Sequence, residues 1–234
     1  MTTTATGAEP LPAAQLKVSD VMAAINYYKP PLKIGEGGFG QVFKGQLYGF
    51  PVAVKVLNIV EQRNALQDLH QEVKALGRVR HANIVNLVGY ATSPDEKFFC
   101  IVYEYVGGGS FGDALRKHKS KEKVLRHEIV LEILQDVAQA LAYVHALGVI
   151  HADIKPDNIL LSSDPFQPSA SPLRAQLCDF GLARILRQTN ANTRTHTVVT
   201  KVGATEGYAD PITLSSGAIR PKTDVYSMVR IQWF

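Results

Sequence analysis

The feature that most constrains the fold is a change of residue pattern at three consecutive glycines, residues 107–109. Before them, short apolar runs alternate with turns, and residues 51–57 place valines at every second position, as β-strands do. After them, residues 126–147 carry an apolar residue every three or four positions, as buried helices do, and Gly148 ends the run. Because consecutive glycines form a flexible connector, the sequence predicts an α+β chain with a small sheet-rich lobe, a hinge and a helix-rich lobe.

The sheet-rich lobe has predictable elements. The first 20 residues are rich in Thr, Ala and Pro without a sustained period, which predicts a partly disordered lead-in. Apolar residues at helical spacing within residues 66–76 predict one helix, and an apolar run near residues 84–91 predicts a further strand. We therefore divide the chain into a lead-in of residues 1–31, a first lobe of residues 32–106 and a second lobe of residues 107–234.

Composition excludes several classes of protein. Hydrophobic residues make up 46% of the chain and charged residues 20%, which is typical of a globular protein. The net charge of +4 is scattered and does not predict nucleic-acid binding. The densest basic run, residues 116–123, is interpreted as a solvated loop, with a docking patch as the alternative. The sequence contains no run of 18 or more apolar residues, so it predicts no membrane span. The two cysteines, Cys100 and Cys178, indicate a reducing compartment and a cytoplasmic location.

Residues 35–40 fit the pattern G-x-G-x-x-G through Gly35, Gly37 and Gly40. In a dinucleotide-binding unit a helix follows these glycines, whereas here the next residues are typical of a second strand. The glycines therefore predict a hairpin, and without Cβ atoms such a hairpin can lie close over phosphates. A plain hairpin turn is the alternative.

Two charged residues in the first lobe are expected to meet. Lys55 shares a strand face with Ala53 and Leu57, and a lysine on an apolar face is costly unless its ammonium group meets an anion. Glu72 lies at the inward edge of the predicted helix, where it could supply that anion. A surface position for Glu72 is the alternative.

Residues 149–161 give the strongest indication of function, because polar residues stand there between two apolar runs. This pattern predicts a rigid loop that presents Asp153, Lys155 and Asn158 to one cleft. The competing interpretation is that His151 and Asp153 together bind a metal ion, but the positive charge of Lys155 would repel that ion. Asp179 follows another apolar strand and precedes Phe180 and Gly181, a position from which its carboxylate could hold a metal ion.

These five parts, in this order, resemble the signature of the protein kinase family: glycine loop, strand lysine, helix glutamate, catalytic loop and Asp-Phe-Gly. The resemblance runs from about residue 32 to about residue 227. It implies a two-lobed protein kinase-like fold with an antiparallel-sheet N-lobe containing one helix and a mainly helical C-lobe. Residues 81–87, 102–106 and 207–211 look like the receptor-like and tyrosine-kinase-like serine/threonine group.

The resemblance implies ATP and Mg²⁺ as cofactors and a role for each site residue. Lys55 would hold the α- and β-phosphates and be held by Glu72, while Asp153 would accept the proton of the substrate hydroxyl. Asn158 and Asp179 would hold Mg²⁺. Other residues would cover the phosphates, enclose adenine or guard the back of the pocket: Ile34, Gly35, Gly37, Gly40, Val42, Ala53, Tyr103, Glu104, Val106 and Leu160.

The resemblance also implies which type of side chain accepts the phosphoryl group. Lys155 belongs to the implied catalytic residues together with Lys55, Glu72, Asp153 and Asn158. Lys155 and Thr205 together match the serine/threonine pattern of the family. We therefore expect a serine/threonine kinase that acts on a protein substrate, with an upstream receptor or adaptor as a partner. A truncated or pseudokinase-like scaffold that binds partners without turnover is the alternative.

Two residues and the chain end depart from the family pattern. Ala152 stands where the family has an arginine that pairs with a phosphorylated residue of the activation loop, the segment after Asp179. Ile212 replaces a glutamate that pairs with a late arginine. Roughly the last fifth to quarter of a kinase domain is missing by comparison with the family, which predicts an incomplete C-lobe with uncovered apolar surface. Basal activity should survive replacement of the loop threonines Thr189, Thr193, Thr195, Thr197 and Thr200.

Overall fold

The computed structural model describes residues 13–37, 40–57, 65–77, 79–93, 98–167, 171–185, 188–189, 193–194, 197–198, 205 and 207–231. Part of the predicted lead-in (residues 1–12), residues 38–39 of the glycine loop, and Thr195 and Thr200 of the activation loop lie outside these ranges.

The first lobe is built on a five-stranded antiparallel sheet, as the sequence predicts. Its strands are β1 (Leu32–Gly37), β2 (Gly40–Leu47), β3 (Phe50–Val56), β4 (Leu87–Thr92) and β5 (Phe99–Glu104). Their spatial order is β1-β2-β3-β5-β4. The glycine motif forms the β1–β2 hairpin, in which Gly37 pairs with Gly40.

The two faces of β3 lead into two separate cores, which confirms the predicted period of two. Val52 and Val54 are buried in one hydrophobic cluster, whereas Ala53 and Leu57 belong to the other. Helix α2 (Ala65–Leu76) covers the second of these faces through the buried Val73 and Leu76. Its bounds agree with the predicted helix to within one residue. Lys55 and Glu72 are thereby brought to the same side of the sheet.

Residues 13–31 of the predicted lead-in contain a helix that the sequence did not predict. Helix α1 (Val18–Ile25) buries Val21, Ala24 and Ile25 against the sheet face opposite α2. The signal was missed because an eight-residue helix gives little more than two turns of apolar periodicity, and its stability comes from tertiary packing.

Two glycines of the sheet accept the lead-in at very short range. A Cβ atom at Gly45 would lie 2.6 Å from the carbonyl oxygen of Ala24, and one at Gly89 would lie 2.5 Å from that of Ala14. The close approach at β4 allows the backbone N–H of Tyr90 to donate to Ala14 O at 3.0 Å. The segment before α1 therefore pairs with the edge of the sheet.

The connection between the lobes also differs from the prediction. The three glycines are not a free hinge, because Gly108 N donates to Leu161 O at 2.8 Å and Leu161 N donates to Gly109 O at 2.9 Å. A Cβ at Gly108 would lie 2.4 Å from Leu161 O, so the absence of a side chain permits this contact. The strand predicted near residues 84–91 begins only at Leu87, and Ile84 instead bridges to Leu177 of the second lobe.

The second lobe is mainly helical. Its helices are α3 (Phe111–Lys119), α4 (His127–Ala146), α5 (Pro211–Ser216) and α6 (Pro221–Ile231). This lobe also contains short strand pairs: β6 (Val149–Ile150) with β9 (Arg184–Ile185), β7 (Ile159–Leu161) with β8 (Ala175–Leu177), β10 (Gln188–Thr189) with β11 (Thr193–Arg194), and β12 (Thr197–Val198) with β13 (Ala218–Ile219).

Helix α4 is the core of this lobe. Its buried face includes Ile133, Val137, Leu141 and Val144, and the helix lies within one residue of the predicted bounds at each end. Within the described ranges it is also the one helix whose length and composition would suit a membrane span. Core helices of globular proteins meet the same criterion, and the face of α4 is packed in the hydrophobic core.

Candidate active site

A buried lysine joins the two lobes. Lys55 Nζ lies 2.9 Å from Glu72 Oε2 and 2.7 Å from Asp179 Oδ1. Burial opposes the charge on Lys55, but the two carboxylates outweigh it and raise the lysine pKa above its ordinary value. The same contact lowers the pKa of Asp179, against the effect of its own burial. The lysine is therefore held as a cation at the back of the cleft.

Tyr103 has a contact that the sequence analysis did not anticipate. Its hydroxyl donates to Oε1 of Glu72, and both side chains are buried. Burial, followed by the charge of Glu72, raises the pKa of the Tyr103 phenol well above its ordinary value, so the hydroxyl stays a donor. Glu72 thus has one oxygen on Tyr103 and the other on Lys55. Sequence spacing gives no signal for this pairing, because it joins β5 to α2.

A buried carboxylate anchors the catalytic loop. Asp224 of α6 is fully buried and accepts from the backbone N–H of His151 at 2.9 Å and of Ala152 at 2.7 Å. His145 Nε2 lies 2.7 Å from the same carboxylate. Ala152 has a φ of 66°, which a non-glycine residue adopts only when its surroundings hold it there. The Asp224 contacts supply that restraint.

Both carboxylate oxygens of Asp153 accept hydrogen bonds. Oδ2 receives Lys155 Nζ at 2.8 Å and Asn158 Nδ2 at 3.0 Å, and Oδ1 receives the hydroxyl of Thr205 at 2.7 Å. Lys155 also reaches the Thr205 hydroxyl at 3.0 Å. The loop thus brings together the three residues that the sequence predicts, with one hydroxyl already on the carboxylate.

Asp179 and Asn158 both line the cleft, next to the paired strands β8 and β7. Asp179 adopts a left-handed conformation with φ 60° after β8, and Asn158 ends the turn before β7. The Asn158 amide nitrogen bonds the backbone and carboxylate of Asp153, so its amide oxygen is the atom with which it could bind a cation. Within the described ranges, no group of three or more His, Cys, Asp or Glu side chains is arranged so that it could hold a metal ion by itself. A cation here would need further oxygens from a ligand, which suits magnesium bound to phosphates.

The cleft between the lobes has a volume of about 680 Å³, within the range of small-molecule and cofactor sites. Asp153 and Lys155 are not among its lining residues and lie at the adjoining loop. The sequence-predicted residues that do line it are Ile34, Gly35, Gly40, Val42, Ala53, Lys55, Glu72, Tyr103, Glu104, Val106, Asn158, Leu160 and Asp179. Cys178 lines it as well, and burial raises the pKa of its thiol, which makes it a poor nucleophile.

Comparison with known proteins gives a consistent assignment. The protein kinase domain family matches residues 28–232. The chain is 34% identical to an LRR receptor-like serine/threonine-protein kinase of Arabidopsis thaliana over 222 residues, which cover 92% of this chain and 17% of that protein. It is 36% identical to U-box domain-containing protein 33 of the same plant over 212 residues, which cover 89% of this chain and 23% of that one.

A receptor protein kinase of Oryza sativa subsp. japonica is 34% identical over 218 residues, which cover 91% of this chain and 22% of that protein. The chain spans less than half the length of each of these relatives. The family match covers both lobes and every part of the site described above. The chain belongs to the protein kinase family, and its relatives place it with the receptor-like kinases.

Proposed function

We propose that this chain is a serine/threonine kinase that transfers the γ-phosphoryl group of Mg²⁺-bound ATP to a protein hydroxyl. The observation that carries the proposal is the arrangement around Asp153: a carboxylate with a hydroxyl hydrogen-bonded to it, beside a cleft that holds the Lys55–Glu72–Asp179 network. The family membership supports kinase activity, and the serine/threonine preference rests on Lys155 and Thr205.

The chemistry follows from positioning and electrostatics. Lys55 would bind the α- and β-phosphates, and its two carboxylate partners keep it charged and fixed. Asp153 would accept the proton of the acceptor hydroxyl as the new bond from its oxygen to the γ-phosphorus forms and the bond to the β-phosphate oxygen breaks, which releases ADP. Lys155 would offset negative charge at the acceptor.

Magnesium suits the oxygens of Asp179 and Asn158, and when bound it neutralises charge on the phosphates. Asp179 can serve because, although burial acts to raise its pKa, the charge of Lys55 outweighs burial and holds the pKa below its ordinary value; the group therefore presents an ionised, acceptor-only carboxylate to the cleft. Asn158 presents its amide oxygen for the reason given above. The same residue orients Asp153 through its amide nitrogen, so one side chain would link the proton acceptor to the metal site.

The location and partners are part of the proposal. We infer a cytoplasmic site of action, because both cysteines are free and ATP is the proposed co-substrate. An upstream receptor or adaptor is proposed from the receptor-like relatives.

Asp153→Asn is the variant that separates a kinase from a scaffold. The amide cannot accept the hydroxyl proton but keeps the size of the side chain. We expect phosphate transfer to a protein acceptor to fall by about 100- to 10,000-fold, while Mg·ATP still raises the melting temperature of the variant. Equal transfer by wild type and Asp153→Asn would refute the proposal. An Mg·ATP-dependent shift with no transfer by either protein would favour a nucleotide-binding scaffold.

A further inference from the structure

A lysine of β2 contacts the segment that connects the two lobes, and the proposed mechanism does not use this contact. Lys44 Nζ lies 4.1 Å from the centre of the Tyr105 ring. A cation at this distance over an aromatic face is attracted by the negative charge of that face. Both side chains are partly buried, and Tyr105 is one of the residues that line the cleft.

Strand register places Lys44 on the face of the sheet that points to the cleft. Lys44 pairs with Ala53 of β3, and Val42 pairs with Lys55. Directly paired residues of neighbouring antiparallel strands point to the same face. Because Ala53 and Lys55 line the cleft, Lys44 lies on the cleft side of β2, two residues beyond Val42. Its ammonium group therefore reaches the connection between the lobes from within the same layer that covers the cleft.

Tyr105 begins that connection, directly after β5. Its backbone N–H donates to Pro51 O at 3.3 Å, which fixes the main chain at this point. Its ring lies close to Gly107, where a Cβ atom would be 3.7 Å from the ring carbon Cε1. The contact with Lys44 adds a restraint on the ring itself. One side chain of β2 thus holds the segment that forms the neighbouring wall of the cleft.

We propose that Lys44 is a positioning residue for the adenine nucleotide. It acts through the Tyr105 ring and keeps the backbone of residues 104–106 at a fixed distance from Val42, so that adenine fits between these two walls. Lys44 itself does not touch the nucleotide. The inference rests on the proposed function for the identity of the ligand, and it concerns nucleotide affinity instead of the transfer step.

The size of the effect follows from the strength of the contact. When a ligand binds only one arrangement of a protein, its apparent dissociation constant rises as the fraction of protein in that arrangement falls. A partly exposed cation–π contact can change such a ratio by about two- to fivefold. Since the contact is not part of the reacting group, the change should appear in KM and leave kcat as it is.

The test measures the dissociation constant of Mg·ADP, which carries the adenine but has no γ-phosphoryl group to transfer, by calorimetric titration. Lys44→Met keeps most of the aliphatic stem and removes the charge, so the dissociation constant and the KM for ATP should rise about two- to fivefold. Lys44→Arg should restore wild-type affinity, because a guanidinium group also stacks on an aromatic face. The matched control is Lys74→Met, which removes an exposed lysine of α2 in the same lobe and should leave both constants unchanged.

A double-mutant cycle shows whether Lys44 acts through the ring. Tyr105→Phe keeps the aromatic face and should bind Mg·ADP as the wild type does, whereas Tyr105→Leu should weaken binding. Adding Lys44→Met to Tyr105→Leu should weaken binding little further. Independent losses in the double variant would overturn the proposed route through Tyr105. A thermal melt of each variant separates affinity from stability: a lower melting temperature of Lys44→Met with unchanged affinity would reduce the contact to a structural one.

Failure of this inference and failure of the kinase proposal give different results. Unchanged affinity in Lys44→Met, or an equal loss in Lys74→Met, would overturn the role of Lys44 while wild-type phosphate transfer still stands. Weaker Mg·ADP binding that follows the predicted pattern, without phosphate transfer by the wild type, would support the role of Lys44 and contradict the kinase proposal. A wild type that does not bind Mg·ADP would contradict both.

Discussion

Replacing Tyr103 by phenylalanine tests whether its contact with Glu72 stabilises the active network. The change removes only the hydroxyl that donates to Glu72 Oε1 and leaves the ring in the hydrophobic core. Glu72 is 2% exposed, so water cannot replace the lost donor easily. A buried charged acceptor that loses one partner costs about 1–3 kcal/mol. Lys55 keeps its bond to the other oxygen, so we expect a loss within this range and not the collapse of the network.

Urea denaturation measures the effect, because the free energy of unfolding is obtained by linear extrapolation. The matched control is Tyr105→Phe: this neighbouring ring is partly exposed and lies 4.1 Å from the ammonium of Lys44, a contact that phenylalanine can keep. The control should change the free energy of unfolding by less than about 0.5 kcal/mol. Equal losses for the two variants would refute the assignment of a stabilising role to the buried hydroxyl.

Three further predictions concern other parts of the molecule. Ile25→Ala on α1 should lower the free energy of unfolding by about 2–4 kcal/mol, whereas the more exposed Met22→Ala on the same helix should change it little, and equal effects would contradict the packing of α1 on the sheet. The pKa of Asp179 is lowered below its ordinary value of 3.8, so its stabilising charge is present above that pH and is lost as the pH falls through the folded-state pKa. The stability advantage of the wild type over Asp179→Asn should therefore shrink below about pH 3.8. An advantage that grows below that pH would contradict the direction of the pKa shift. Alanine replacement of the five activation-loop threonines should leave basal kinase activity largely intact, because Ala152 has no guanidinium group to pair with a phosphate. A hundredfold drop in activity would refute this prediction. The threonines are Thr189, Thr193, Thr195, Thr197 and Thr200.

The parts of the fold that were predictable are those in which local pattern and packing agree. The alternation in β3 follows from burial of both sheet faces, and the periodicity of α4 follows from one broad buried face. The motif residues of the catalytic loop were predictable because polar side chains between two apolar runs have few structural explanations. In these segments the sequence alone specifies the element and its buried face.

The features that were missed depend on contacts between distant segments. Helix α1 is too short to show a convincing period, and only the glycines at 45 and 89 hint that another backbone approaches the sheet. The bond from Tyr103 to Glu72 and the pairing of Arg116 with Asp157 join residues 31 and 41 positions apart. Spacing along one strand or helix carries no information about such pairs.

Phosphate transfer to an identified residue tests the central claim most directly. Wild-type protein and Asp153→Asn are incubated with Mg²⁺, γ-labelled ATP and a generic protein acceptor, and the labelled residues are identified by mass spectrometry. We predict label on serine and threonine with the wild type and a loss of about 100-fold or more with the variant. Label on tyrosine alone would contradict the acceptor assignment. No label with the wild type, or equal label with both proteins, would contradict the assignment of catalysis to Asp153.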